Sequence, residues 1–174
     1  MTQHKLNSYL MNVFAVLVLF IGYTNSVNTF ENYHLYQQHQ HQIEIDYRLK
    51  QIDCLAQTIY FEARGEPIIG QYAVAQVVMN RVFSHIYPDS VCKVVYQSNQ
   101  FSWVKEETHK ILDGKQWVDA LKVAYNVLTN DVPYSKMIPS NVLFYHTKTV
   151  HPTWDHSMVR VATIGNHIFY RLKE

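Results

Sequence analysis

The spacing of apolar and polar positions predicts a mainly helical domain with a small β element. Residues 53–64, 69–82 and 117–129 repeat apolar side chains at helical spacing. Residues 142–146 and 164–170 are rich in β-branched and aromatic side chains, which favours extended structure. The expected fold class is therefore α+β with one domain.

The N-terminal region has a different pattern. Residues 13–22 form an uninterrupted apolar run, preceded by a single formal positive charge at Lys5. The run is short for a membrane span of about 20 residues and fits the apolar core of a secretory signal peptide. We expect residues 1–26 to be a signal peptide, with an uncleaved signal anchor as the alternative, and the protein to be exported to the periplasm, cell envelope or medium.

Residues 27–51 are predicted to be a polar linker. They contain the low-complexity segment from Gln37 to Gln42, which shows no apolar period. The apolar residues Ile43, Ile45 and Leu49 could begin a helix that continues into Cys54. The domain proper is expected over residues 52–174, with Asp53 capping its first helix.

Composition narrows the function classes. The chain has 174 residues, 48% of them apolar, and a net charge of +1. It is long enough to bury a core and lacks the basic excess of a nucleic-acid-binding protein. We therefore expect no nucleic-acid partner. The protein is also expected to be a monomer.

The segment from Ile59 to Pro67 carries the strongest chemical signal. Glu66 is four positions after Glu62 in the sequence. On a helix this spacing puts two side chains on one face. A carboxyl group at the edge of an apolar face is partly desolvated, which raises its pKa toward the range of a general acid. The alternative is that both are solvated charges or partners of Arg64 and Arg81.

This segment overlaps the first of six sequence blocks that occur in a fixed order. They are CLAQTIYFEARGE (residues 54–66), GQYAVAQVVMNRV (70–82), PDSVCKVVYQ (88–97), QFS (100–102), FYH (144–146) and IGNHIFY (164–170). Together they resemble the cell wall hydrolase family typified by the SleB spore-cortex-lytic enzymes. The resemblance covers residues 53–171.

The resemblance implies a lysozyme-like fold of the lytic transglycosylase type that acts on peptidoglycan glycan strands. It also implies that Glu62 is the catalytic acid and that one glutamate dominates the chemistry. Glu62 would then act as acid and afterwards as base, giving a 1,6-anhydro product. Hydrolysis with Glu66 as a second carboxylate stays open, although Glu66 need not reach the opposite face of the sugar.

Besides Glu66, which could brace the site or tune the pKa of Glu62, five other side chains are candidates for binding substrate or supporting the site. Gln100 and Phe101 belong to the QFS block, where the Gln100 amide could bond an N-acetyl group or brace a loop. Tyr145 and His146 could orient substrate or relay a proton, and a buried structural role is the alternative for His146. Trp154 could stack on a sugar.

The chain has two cysteines, Cys54 and Cys92. An even count in an exported protein favours a disulfide. The alternative is a catalytic thiol with His146 or His167 as its base. We expect the disulfide because neither cysteine lies in a turn suited to a nucleophile.

Two other functions remain as alternatives. Four histidines from His146 to His167 suggest a metal-dependent amidase or peptidase acting on the stem peptide, but the chain contains no HExxH motif. The aromatic content would also suit a non-catalytic wall-binding module. We expect no cofactor and no metal, with peptidoglycan as the partner and the inner membrane as a second one if the N-terminal segment is uncleaved.

Overall fold

The structure is a computed structural model that describes residues 3–105, 110–129 and 137–173. The chain divides into two units, Met1–Tyr47 and Arg48–Glu174. The elements in chain order are helices α1 (Gln3–Ala63), α2 (Ile68–Val82), α3 (Val91–Val95) and α4 (Gly114–Thr129), and strands β1 (Val142–Thr147), β2 (Val159–Ile164) and β3 (His167–Arg171). Short 3-10 turns cover Ser102–Lys105 and Asp155–Ser157.

The described part of the first unit is helical and exposed. Its apolar stretch has a mean hydropathy of 1.8 and is not buried, so its length and composition would suit a membrane span or a signal sequence. Residues 27–51, expected to be a polar linker, are also helical. They contain no Gly or Pro to end a helix, and Gln, Glu and Leu favour one. The domain boundaries stay predictions.

The expectation that Asp53 caps a helix is wrong. Helix α1 continues through this position, so no free helix end exists there. The Asp53 carboxylate instead accepts a hydrogen bond of 2.7 Å from the Gln57 amide, one turn later.

The main core lies among the end of α1, α2, α3 and α4. Leu55 and Ile59 of α1 are fully buried, as their helical spacing predicts. They pack in one cluster with Val78 of α2, Val94 of α3 and Ala124 of α4. The predicted disulfide between Cys54 and Cys92 is confirmed and joins α1 to α3, with Cα atoms 5.3 Å apart.

The second cluster joins α2 to a three-stranded antiparallel sheet of order β1-β3-β2. Val74 and Val77 of α2 pack there with Val142 of β1 and Phe169 of β3. Strand β2 was missed in the sequence, and the expected extended run 164–170 is divided by a turn between β2 and β3. The strand lies at a sheet edge and most of its side chains are only half-buried, so no clear apolar alternation marks it.

Two polar side chains of α2 bind the strand region directly. The Asn80 amide donates to the carbonyl oxygens of Pro139 and Val142, at 3.0 and 2.9 Å. The Arg81 Nε donates to the Leu143 carbonyl oxygen at 2.9 Å. These bonds fix the position of β1 relative to α2. They therefore determine which β1 side chains lie near the end of α1.

Candidate functional site

Glu62 lies in the last turn of α1, immediately before the chain leaves the helix at Ala63. Its half-buried side chain lines a cleft of about 650 Å³. Among the residues that the structure describes, the other lining residues are Asn99, Gln100, Phe101, Ser102, Val150 and Trp154. The cleft therefore combines one carboxyl group with amide, hydroxyl and apolar side chains.

Strand β1 brings Tyr145 to Glu62 from 83 positions further along the chain. The Tyr145 hydroxyl donates a hydrogen bond to Glu62 Oε2 at 3.3 Å. Burial, followed by the negative charge of Glu62, raises the pKa of the Tyr145 hydroxyl well above its usual value. Tyr145 is therefore a permanent donor at this carboxyl oxygen.

The surroundings of Glu62 act on its acidity in both directions. Burial is the largest effect and raises the pKa of the Glu62 carboxyl above its ordinary value. The Tyr145 hydrogen bond, the positive charge of Arg81 and the nearby Trp103 indole each lower this pKa. The net direction is upward, as the sequence predicted from the apolar face of the helix.

Glu66 does not share a helical face with Glu62, which corrects the sequence prediction. Helix α1 ends at Ala63, so Glu66 lies in the break before α2. Glu66 Oε2 accepts a hydrogen bond from the Asn166 backbone N–H at 2.8 Å, and Oε1 lies 3.8 Å from His167 Nδ1. The Glu66 side chain is nearly buried against the turn between β2 and β3 rather than lining the cleft with Glu62.

Gln100 and Phe101 both line the cleft beside Glu62. Phe101 is buried, and the Arg81 guanidinium lies 5.7 Å from its ring centre. Asn99 before them has φ of 63°, a left-handed conformation that asparagine tolerates better than most residues. Their roles in substrate binding stay predictions.

His146 is not among the described residues that line the cleft, as expected because neighbouring strand residues point to opposite faces. Its ring is buried, with Nδ1 2.8 Å from the Thr147 carbonyl oxygen and Nε2 2.8 Å from the Tyr170 hydroxyl. It also stacks on the Tyr170 ring and contacts Trp154. These contacts favour the structural interpretation of His146 over a proton relay.

Sequence analysis missed two residues that act on Glu62. Trp103 stacks on Phe61 with ring centres 4.9 Å apart, next to the catalytic candidate in the chain. Arg81, considered there only as an ion-pair partner, is a buried cation bonded to the Leu143 carbonyl oxygen. The sequence did contain a signal for Arg81, which is its position on the apolar face of helix α2.

Across the described ranges, no group of three or more His, Cys, Asp or Glu side chains lies close enough to hold a metal ion. The histidines that suggested zinc have other neighbours. His146 lies against Tyr170, and His167 lies against Tyr145 and Glu66.

Comparison with known proteins gives a family match. Residues 65–170 match the model of the cell wall hydrolase family, a range that begins after Glu62. A curated relative, the spore cortex-lytic enzyme of Oceanobacillus iheyensis, is 28% identical over 123 residues, which cover 71% of this chain and 42% of the relative. The chain spans less than half of the length of the curated relatives it matches.

Two solved structures are similar over most of their own length. The catalytic domain of the Bacillus cereus SleB protein matches with a TM-score of 0.53 and 27% identity, over 70% of this chain and 89% of that one. The catalytic domain of the germination-specific lytic transglycosylase SleB from Bacillus anthracis matches with a TM-score of 0.55 and 30% identity, over 70% and 93%. The predicted fold class, mainly helical with a small sheet, is thereby confirmed.

Proposed function

The chain belongs to the cell wall hydrolase family, and on that premise we propose that it cleaves peptidoglycan glycan strands between N-acetylmuramic acid and N-acetylglucosamine. The proposed reaction is that of a lytic transglycosylase, with Glu62 as the single acid and base. One observation carries the proposal: a half-buried carboxyl group with a raised pKa lines a cleft of about 650 Å³. The solved relative described as a lytic transglycosylase supports the same reaction.

In the first step, Glu62 protonates the glycosidic oxygen. The C1–O4 bond then breaks, and positive charge develops at C1 of the muramic sugar. Tyr145 donates to Oε2 of Glu62, which leaves Oε1 to carry the proton that is transferred. Burial raises the pKa of this carboxyl group, which favours the protonated form that the first step requires.

In the second step, the Glu62 carboxylate removes the proton from the C6 hydroxyl of the same sugar. The C6 oxygen attacks C1 and closes a 1,6-anhydro ring, which restores the protonated glutamic acid and consumes no water. The Tyr145 hydroxyl, the Arg81 charge and the Trp103 indole stabilise the carboxylate between the two steps, since each lowers its pKa.

The position of Glu66 supports a mechanism with one carboxyl group. Hydrolysis with inversion or retention uses a second carboxylate across the sugar. Glu66 is held by the Asn166 N–H and lies beside His167. Among the described residues that line the cleft, Glu62 is the only carboxylic acid.

The proposed substrate requires action outside the cytoplasm. The apolar stretch of α1 is compatible with a signal sequence or with a membrane anchor. We extend the proposal to an exported enzyme whose partner is peptidoglycan, and the inner membrane as well if this stretch is retained. The size of the mature chain in membrane and soluble cell fractions distinguishes cleavage from anchoring.

The product decides the reaction. Purified protein is incubated with purified sacculi, and the released fragments are analysed by mass spectrometry. We expect 1,6-anhydro-muramyl ends, which are lighter than reducing ends by one water molecule. The Glu62→Gln variant is the matched control and should release almost none.

Other products would contradict the proposal. Reducing muramyl ends would indicate hydrolysis, and free stem peptides would indicate an amidase or peptidase. A protein that binds sacculi but releases nothing would be a wall-binding module. The same digestion in EDTA should proceed at an unchanged rate, because the acetal bond has no carbonyl for a metal to polarise.

A further inference from the structure

We propose that Trp154 is a stacking platform for one N-acetylhexosamine ring of the glycan, in a subsite that adjoins Glu62. His146 and Tyr170 are the residues that position this platform. The chemical class of the ligand rests on the proposed function. The platform itself rests on the packing around Trp154.

Trp154 is a half-buried side chain that lines the cleft together with Glu62. Three rings pack around its indole. The ring centres of His146, Tyr170 and Phe144 lie 5.5, 5.7 and 5.9 Å from that of Trp154. The His146 and Tyr170 rings are inclined to the indole by 75° and 87°, an edge-to-face arrangement that fixes its orientation.

The rings behind Trp154 are themselves held by hydrogen bonds. The Thr147 carbonyl oxygen can only accept, so His146 Nδ1 carries the proton of that bond. Its Nε2 lies 2.8 Å from the Tyr170 hydroxyl and 3.7 Å from Asp155 Oδ2. These contacts hold the His146 ring where it meets the Trp154 indole.

The backbone at Trp154 is also held. Ser157 donates twice to the Trp154 carbonyl oxygen, from its backbone N–H at 3.0 Å and from its hydroxyl at 2.7 Å. The Asp155 N–H donates to the Pro152 carbonyl oxygen at 3.2 Å. A ring that is ordered before binding loses little conformational freedom when the ligand arrives, which strengthens binding.

The composition of the cleft suits an amino sugar. A pyranose ring has an apolar face of C–H groups and a polar edge of hydroxyl and acetamido groups. Trp154 and Val150 offer apolar surface, while Asn99, Gln100 and Ser102 offer amide and hydroxyl groups to the edge. With Glu62 in the same cleft, a sugar stacked on Trp154 would present its glycosidic oxygen near the acid.

Binding without turnover tests the platform. The parent is the full chain with Glu62→Gln, and the probe is tri-N-acetylchitotriose, titrated by calorimetry. Adding Trp154→Ala should raise the Kd about tenfold, the size expected for the loss of one aromatic stacking contact. Adding Phe83→Ala is the matched control, because Phe83 is an aromatic side chain that is 77% exposed and does not line the cleft. It should leave the Kd unchanged.

A second measurement does not require the Trp154→Ala variant to fold. In the Glu62→Gln parent, the indole N–H signal of Trp154, assigned with Trp154→Phe, should shift on titration with the same trisaccharide. The positioning role is tested with Tyr170→Phe in the active enzyme, which should raise KM severalfold with kcat unchanged. A Tyr170→Phe variant that loses only thermal stability would show that Tyr170 is not a positioning residue.

The outcomes separate this inference from the proposed function. An unmoved Trp154 signal, or equal Kd values for the Trp154→Ala and Phe83→Ala proteins, overturns the platform even if anhydro products are found. A parent that does not bind the trisaccharide also overturns it. If no glycan fragment is released from sacculi but trisaccharide binding depends on Trp154, the platform stands and the proposed reaction fails.

Discussion

At Glu62, burial and hydrogen bonding act on one carboxyl group in opposite directions. Burial favours the protonated form, while Tyr145, Arg81 and Trp103 favour the carboxylate. A residue that donates a proton and later removes one needs both forms to be accessible near the working pH. This balance is the residue-scale basis for assigning both steps of the proposed reaction to Glu62.

Glu62→Gln should lower the rate of sacculus lysis about 10²- to 10⁴-fold, the usual contribution of a general acid. Glu66→Gln should cost less, because Glu66 holds the Asn166 N–H and does not line the cleft. Both rates are measured on folded protein, with melting temperatures as the control. A larger loss at Glu66 would mean that the two carboxylates have the opposite roles.

Tyr145→Phe should change the pH dependence of lysis. Activity requires protonated Glu62, so the rate falls as pH rises through the pKa of this group. The Tyr145 hydrogen bond lowers that pKa, so its removal should raise the pKa further and move the alkaline limb of the profile to higher pH. The maximal rate should fall roughly ten- to a hundredfold, since a hydrogen bond to a charged group contributes about 1.5–3 kcal/mol. A limb that stays in place or moves to lower pH would contradict the assignment.

At the scale of elements, a hydrogen bond connects the turn between β2 and β3 to the break between α1 and α2. The Asn166 N–H in the turn donates to the Glu66 carboxylate in the break at 2.8 Å. Gly165 beside it has φ of +57°, and a Cβ there would meet Glu66 Oε2. The break after Glu62 is therefore held by the sheet, which limits how far the end of α1 can move.

Gly165→Ala should destabilise the protein by about 1–2 kcal/mol from the left-handed backbone alone, and further from the contact with Glu66. Gly114→Ala at the start of α4 is the matched control, because a Cβ there meets nothing within 4 Å. Its effect should stay within about 1 kcal/mol. Urea unfolding of both variants measures the difference. Equal free energies of unfolding for the two variants would show that the turn accommodates the added Cβ and that the Glu66 contact does not hold the turn in place.

At the scale of the whole molecule, long-range bonds hold the second unit together. The Cys54–Cys92 disulfide joins positions 38 residues apart, and α2 binds the β1 region through Asn80 and Arg81. All the described residues that line the cleft belong to this unit. The unit holding the proposed site is therefore stabilised by covalent and polar links as well as by its two apolar clusters.

Removing the disulfide should lower the melting temperature without removing a catalytic group. A closed loop of this length contributes about 4 kcal/mol in the chain-entropy model. Cys54→Ser/Cys92→Ser protein, assayed below its melting temperature, should lyse sacculi at the rate of the parent. The intact mass of exported protein, alkylated without reductant, should show no modified thiol. Two alkylated cysteines would contradict a bridge in the exported protein.

The local sequence pattern predicted those helices in which buried side chains recur at a regular spacing. Helix α2 was predicted from position 69 and begins at Ile68, and Leu55 and Ile59 are buried as expected. The same apolar periodicity located Glu62 at the edge of a core face. Strand β2 and the helix over residues 27–42 were not predicted, because neither has a regular spacing of apolar side chains.

By itself, the sequence indicated the fold class through local spacing and the disulfide through the count of two cysteines. Glu62 was identified as the candidate acid through the resemblance of the ordered sequence blocks to the cell wall hydrolase family. Only the tertiary structure decided which distant side chains meet the acid. Tyr145 and Trp103 surround Glu62, whereas Glu66 and His146 bind other parts of the domain. The physical reason is that these positions depend on contacts between segments far apart in the chain. The Asn166 N–H binds Glu66, and Asn80 and Arg81 of α2 hold β1 in place.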